Sequence, residues 1–322
     1  MKNFKIAVID TALNIEKIPE NIKSKIEIND YFEHDSKAIH SLMVINTLLK
    51  YTDPTLIEKI YLYNIFPKDS KGSGSAAVLA LEDIIQKKDV DVIIMSITLT
   101  SMKRYEQIEK LCKRITSSGI MIIAADSNKF TEEKCYPFSF EHVYGISQGA
   151  FSVQPFFCVE NMETKHIMGD AEPEFICCGE NMYNLFGGTS KAVPKFLAAI
   201  INAFADENDI TSEKIEKWIK KNSLSAEDNT ICQIKNASDQ LEYNNAVYNT
   251  LCSYINECPI DLGKYGRLSP SFDLGQLVSS DLYMFLSYIL ERFGIYIRPD
   301  DMKYTDFSSI GNLCMYIGER NN

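Results

Sequence analysis

The chain reads as an α/β protein followed by a small all-α region, and three observations carry that reading. Short apolar runs such as Ile6-Ala7-Val8-Ile9 and Ile120-Met121-Ile122-Ile123-Ala124-Ala125 have the length of strands buried on both faces of a sheet. Longer apolar stretches, Ser41 to Leu49 and Phe196 to Phe204, have the extent of helices. Beyond Asn222 the pattern changes to amphipathic helices separated by turn residues.

Taken in order, the elements deliver chemistry as well as shape. The first strand ends in Asp10-Thr11, and the carboxyl edge of a sheet is where α/β proteins place reactive groups. His40 opens the helix Ser41 to Leu49, which puts an imidazole at a helix start. The strand Gly119 to Ala125 runs into Asp126-Ser127-Asn128 and brings an amide to its end, a candidate oxyanion donor. Gly188-Thr189-Ser190-Lys191-Ala192-Val193-Pro194 then sets a hydroxyl between small residues, just ahead of Phe196 to Phe204. Two readings of Ser190 stand side by side. One is an ordinary helix cap. The other is a nucleophile on the first helical turn, where unpaired N–H groups and the positive dipole end favour an alkoxide and an oxyanion. Asp, then His, then Ser is one of the chain orders of the hydrolytic triad.

With these segments in this order, residues 1 to about 224 resemble a subtilisin-like serine protease domain. Asp10 falls in that family's Asp-Thr/Ser-Gly position, His40 in its His-Gly-Thr position, Asn128 in its Ala-Ala-Gly-Asn position and Ser190 in its Gly-Thr-Ser-x-Ala-x-Pro position. Connecting pieces match as well. Ile60 to Ile65 with Lys71-Gly72-Ser73-Gly74-Ser75 resembles the strand and helix start after the histidine segment, and Ile93-Ile94-Met95-Ser96 the substrate-binding strand. Tyr136-Pro137 with Val143 to Ser147 resembles the next strand, and Thr211 to Asn222 the closing helix.

The resemblance implies a doubly wound, mostly parallel sheet and acyl transfer. Ser190 Oγ attacks a peptide carbonyl, His40 takes and returns the proton, and Asp10 orients the ring. Asn128 and the Ser190 N–H bind the oxyanion, and Ser96, Ile97 and Thr98 offer strand-like backbone to an extended substrate. The sequence departs from the family pattern where Ala12 replaces a glycine, Ser41-Leu42-Met43 replaces Gly-Thr-His and Asp126-Ser127 replaces Ala-Gly. Glycine serves where the backbone needs positive φ or close approach, so these changes point to a narrowed or misaligned cleft.

Composition excludes several partners. A formal charge of −11 argues against nucleic acid, whose phosphates need a basic face. No apolar run approaches the roughly 18 residues of a membrane span. The first strand starts at Lys5, which predicts no signal peptide or pro-segment, and nine cysteines without a framework predict reduced thiols in the cytoplasm. No metal is expected, because clustered His/Cys spacing is missing. His34, His142 and His166 receive no role.

The expected domains are 1–224 for the protease part, 225–240 for a polar linker and 241–322 for a helical bundle. Helices are expected at Asn244 to Cys258, at Asp281 to Phe293 and at Phe307 to Ile317. The Phe293-Gly294-Ile295-Tyr296-Ile297 stop, the Pro299-Asp300-Asp301 loop and the last helix are similar to acyl or peptidyl carrier proteins. That similarity implies a candidate 4'-phosphopantetheine site at Ser279. Here the serine stands in Val278-Ser279-Ser280, without the family's flanking acid and leucine, and a plain helix cap is the alternative. No other cofactor is expected.

A cytoplasmic protease core joined to a carrier-like module points to an endopeptidase that processes a precursor or leader peptide in modified-peptide biosynthesis, with partner enzymes recruited by the tail. A transamidating macrocyclase and a non-catalytic peptide-binding module are the alternatives.

Overall fold

The computed structural model describes residues 3–32, 38–67, 73–87, 89–99, 104–127, 135–179, 182–207, 210–229, 245–260 and 269–320. They fall into two compact units, Met1–Glu172 with Gly187–Asn229, and Pro173–Phe186 with Thr230–Asn322.

The first unit is built on eight strands: β1 (Phe4–Asp10), β2 (Ile26–Asp30), β3 (Ile57–Asn64), β4 (Val92–Met95), β5 (Met121–Ala125), β6 (Tyr144–Gly149), β7 (Phe157–Asn161) and β8 (His166–Asp170). Their order in the sheet is β2-β3-β1-β4-β5-β6-β8-β7, parallel throughout except for the antiparallel pair β7–β8. The winding therefore reverses at β1, with β3 on one side and β4 on the other. The crevice beyond the carboxyl ends of such strands is where open α/β sheets bind ligands.

Among the described residues six helices accompany the sheet: α1 (Glu20–Lys23), α2 (His40–Tyr51), α3 (Gly74–Lys87), α4 (Tyr105–Ser117), α5 (Thr189–Ala203) and α6 (Ser212–Asn222). Ala7, Ile9, Tyr61, Tyr63, Ile93 and Met95 join one buried cluster with Ala77, Leu81 and Ile84 of α3 and Ile108, Cys112 and Ile115 of α4. Successive strand side chains point to opposite faces. Asp10, Asn64 and Ser96 consequently belong to the other face, where α2 and α5 pack on each other and α5 runs along β5, β6 and β8. Period two in the strands thus puts Asp10 on the side of the helices that carry His40 and Ser190.

The second unit begins with a hairpin, β9 (Glu174–Gly179) and β10 (Met182–Phe186), paired antiparallel. Its helices are α7 (Asn245–Glu257), α8 (Ser279–Arg292), α9 (Tyr304–Phe307) and α10 (Ile310–Arg320). Phe175 of the hairpin shares a core with Leu251, Ile255, Leu282, Phe285, Leu286, Ile289, Phe307, Leu313 and Ile317. Tyr183 stacks on Tyr283 with ring centroids 4.4 Å apart, and Phe175 stacks on Phe307 at 5.4 Å. The hairpin, expected inside 1–224, therefore packs with the tail.

Other boundaries differ from the sequence expectation for local reasons. Ser225 to Asn229, the start of the expected linker, is held by a reciprocal Ser225–Asp228 cap, and Asn229 accepts the Ala150 N–H at 3.0 Å. The rest of that segment lies outside the described residues. The last helix is interrupted at Ser308-Ser309. There Leu274 N donates to Ser308 O at 3.0 Å and Ile310 N to Phe272 O at 3.2 Å, which pulls the backbone out of the helical ladder. Helix α8 stops at Gly294 (φ 68°), whose left-handed conformation lets Ile295 N reach Leu290 O at 2.8 Å. Among the described residues no helix is long and apolar enough to cross a membrane.

Candidate active site

Asp10 is the last residue of β1 and is completely buried. Its Oδ1 accepts the Thr11 N–H at 2.6 Å and pairs with His40 Nδ1 at 2.7 Å. Oδ2 has no partner among the described residues, so the imidazole is the group that balances this carboxylate. His40 is the first residue of α2, with its side chain one-third exposed (33%). Burial alone would lower its pKa, but the charge and hydrogen bond of Asp10 outweigh that and hold it above 6.5.

The missing glycines cost no backbone strain. Only Phe156 and Lys165 have positive φ among the described non-glycine residues, so Ala12 is not forced into the left-handed region. Ser41, which stands in a family glycine position, donates its hydroxyl to Ala12 O at 2.6 Å and its N–H to Thr11 Oγ1 at 3.2 Å. Two departures from the motif thus bind each other and fasten the carboxylate loop to the histidine helix.

Ser190 is the second residue of α5. Gly188 precedes the helix at φ 75°, a conformation that a side chain would strain. The Ser190 hydroxyl donates to Ser96 O at 2.9 Å, just beyond β4. Pro194 has no N–H to return to the Ser190 carbonyl, which loosens the ladder of the first turn. Thr189 Oγ1 donates to Asp126 O at 2.8 Å, tying this turn to the loop after β5.

These groups converge on a cleft of about 360 Å³ lined by Thr11, His40, Phe66, Ser96, Ile97, Thr98, Ala125, Asp126 and Ser190. Two larger hollows, of about 430 Å³ and about 940 Å³, contain neither His40 nor Ser190. The cleft that holds both is the candidate site. It brings together His40, Ser190, Ser96, Ile97 and Thr98, with Asp10 buried behind His40 and bonded to it. Asn128 lies outside the described residues, two positions past Asp126. Ser279 belongs to the other unit, where it is the first residue of α8, half-buried and preceded by Val278 at the cap position.

The sequence gives less notice of a buried charge cluster beside Ser190. Lys191 Nζ donates to Asp170 Oδ2 at 2.9 Å and Lys195 Nζ to the same oxygen at 2.6 Å. The available signal was two lysines spaced i, i+4 in an otherwise apolar helix. Such lysines need a buried counter-charge if that face is inside.

The same fold occurs in solved proteases. One is described as a lanthipeptide protease (TM-score 0.52, 12% identity, 68% of this chain and 79% of that one covered). Another is the prenylagaramide maturation protease PagA (TM-score 0.50, 14% identity, 70% and 88% covered). A third is a mutant of the protease domain of PatA (TM-score 0.54, 10% identity, 69% and 88% covered). No sequence family and no curated protein matches the chain. The mixed α/β fold, with its mostly parallel sheet, is thus one shared with these proteases.

Proposed function

We propose that this chain is a serine endopeptidase that cuts a particular precursor or leader peptide during assembly of a modified peptide. The observation that carries the proposal is the 2.7 Å Asp10–His40 bond in one cleft with the Ser190 hydroxyl. With Nδ1 engaged by Asp10, the ring is left with Nε2 to take the proton of Ser190. The hydroxyl turns from Ser96 O toward the imidazole as a substrate carbonyl enters. Attack forms the tetrahedral oxyanion, and His40 returns the proton to the leaving amine. The Ser190 N–H on the first turn of α5 and the Asn128 amide receive the oxyanion. An extended peptide lies along Ser96, Ile97 and Thr98. The biosynthetic assignment is supported by proteins of this fold described as a lanthipeptide protease and as a prenylagaramide maturation protease.

A fluorophosphonate probe tests the reading directly. It is expected to label the wild-type chain at Ser190, whereas a wild type that never labels would turn the assignment to a non-catalytic peptide-binding module. Asn128→Ala is expected to lower kcat by roughly 10²–10³ with little change in KM, the magnitude known for the equivalent donor in a subtilisin. Equal losses in both parameters would remove its oxyanion role.

In the tail, Ser279 is the candidate attachment point for a phosphopantetheine arm. Val278, and not Ser279, takes the cap position of the helix, and the neighbours Val278 and Ser280 are exposed, which fits access by a modifying enzyme. Bound there, the arm would supply a thiol for acyl attachment. Intact mass after co-expression with a broad phosphopantetheinyl transferase is expected to rise by one arm, and an unchanged mass ends that assignment.

A further inference from the structure

Ser190 is flanked by two tethers that lead to one tripeptide. On its amino side Gly188 N donates to Ala171 O at 2.8 Å. On its carboxyl side Lys191 Nζ reaches Asp170 Oδ2 at 2.9 Å and Glu172 O at 2.5 Å. Asp170-Ala171-Glu172, the end of β8 and the two residues after it, therefore holds both ends of the nucleophile's turn. Ala171 is itself anchored to the sheet through its N–H to Gly149 O at 2.7 Å.

Asp170 is buried to 3% exposure, Lys191 to 1% and Lys195 to 5%. Oδ1 of Asp170 accepts the N–H groups of Phe151 and Glu172, each at 3.3 Å, so backbone donors aim the carboxylate at the lysines. Lys195 lies one turn beyond Lys191 on the same helix face. Its ammonium stands 4.3 Å from the Tyr51 ring centroid and 4.0 Å from that of Phe156. Tyr51 ends α2, the helix that His40 begins. The cluster consequently grips the serine helix, the histidine helix and the sheet together. Apolar side chains of similar volume would fill this space without the desolvation cost of three buried charges. What ionic hydrogen bonds add is direction, because each fixes an atom to within a few tenths of an ångström.

We propose that Asp170 is a positioning residue for Ser190, acting through Lys191 and Lys195 to fix the turn that carries the nucleophile. The inference rests on the protease reading for its kinetic consequence, but its structural content is independent of that reading. Two variants test it: Asp170→Asn, which weakens the clamp, and the triple change Asp170→Leu, Lys191→Met, Lys195→Met, which replaces the cluster with apolar volume. The triple variant is expected to melt at or above the wild-type temperature. Amide hydrogen exchange at residues 187–192 should nevertheless be about tenfold faster than in the wild type, with the second half of α5 unchanged. Fluorophosphonate labelling of Ser190 should slow about 10²-fold, the loss expected when a reacting atom is misplaced by about 1 Å.

Wild-type exchange at 187–192 in a stably folded triple variant would overturn the proposal, and so would wild-type labelling. A wild type that never labels defeats the protease reading alone, since the exchange measurement still decides the clamp. Should the triple variant fail to fold, Asp170→Asn supplies the same two readouts, with the same expected and overturning results.

Discussion

Ser190→Ala is expected to abolish fluorophosphonate labelling and to lower peptide turnover on the order of 10⁶-fold, the loss known for removing the nucleophile of a subtilisin. Stability should barely change. The side chain is nearly buried at 9% exposure, the alanine methyl fits the same space, and the one bond lost is the hydroxyl's donation to Ser96 O, worth about 1 kcal/mol. A melting curve and a probe gel on the same sample therefore separate chemistry from folding. Retained labelling in Ser190→Ala would mean that another residue reacts, and the assignment of the nucleophile would fall.

Asp10→Asn is the second large effect, about 10⁴-fold in kcat. An amide in place of the carboxylate presents an N–H as readily as an oxygen to Nδ1, and the ring then carries its proton on the wrong nitrogen. The variant also carries a pH signature. The charge of Asp10 holds the His40 pKa above 6.5, and the general base works only when neutral. Wild-type kcat/KM should accordingly fall on the acid side with a midpoint above 6.5. In Asp10→Asn the raising interaction is gone while burial still disfavours the imidazolium, so the midpoint should move to lower pH. Stability follows the opposite sense. A group whose pKa is raised on folding stabilises the fold fully below its unfolded pKa, and that contribution fades as pH rises through the folded value. An acid limb that stays in place in Asp10→Asn would show that His40 is not paired as described.

Much of this arrangement is legible from local pattern. Ile6 to Asp10 shows its strand because a four-residue apolar run needs burial on both faces, and the carboxylate follows at the strand's exit. His40 and Ser190 are visible because each stands at the start of an apolar helix. The rest depends on distance along the chain. Asp170 meets Lys191 across 21 positions and Lys195 across 25, and although two lysines in an apolar helix call for a buried counter-charge, nothing near them says which carboxylate supplies it. Ser41 reads as a damaged glycine position until its bond to Ala12 O is seen. The hairpin is the clearest case. Its aromatic residues look like protease core, and only the rings of Tyr283 and Phe307, a hundred residues or more after those they meet, show which unit they complete.

That hairpin changes what can be cut out of this protein. The helical unit is assembled from two separate stretches of chain, with the protease fold resumed between them. A tail expressed from residue 230 onward would be missing Phe175 and Tyr183, leaving hollows against Tyr283 and Phe307. A chain truncated at the same point would display those aromatic rings to water. On the ribosome, too, the hairpin emerges long before its partners and waits uncovered until Ile310–Arg320 has been made.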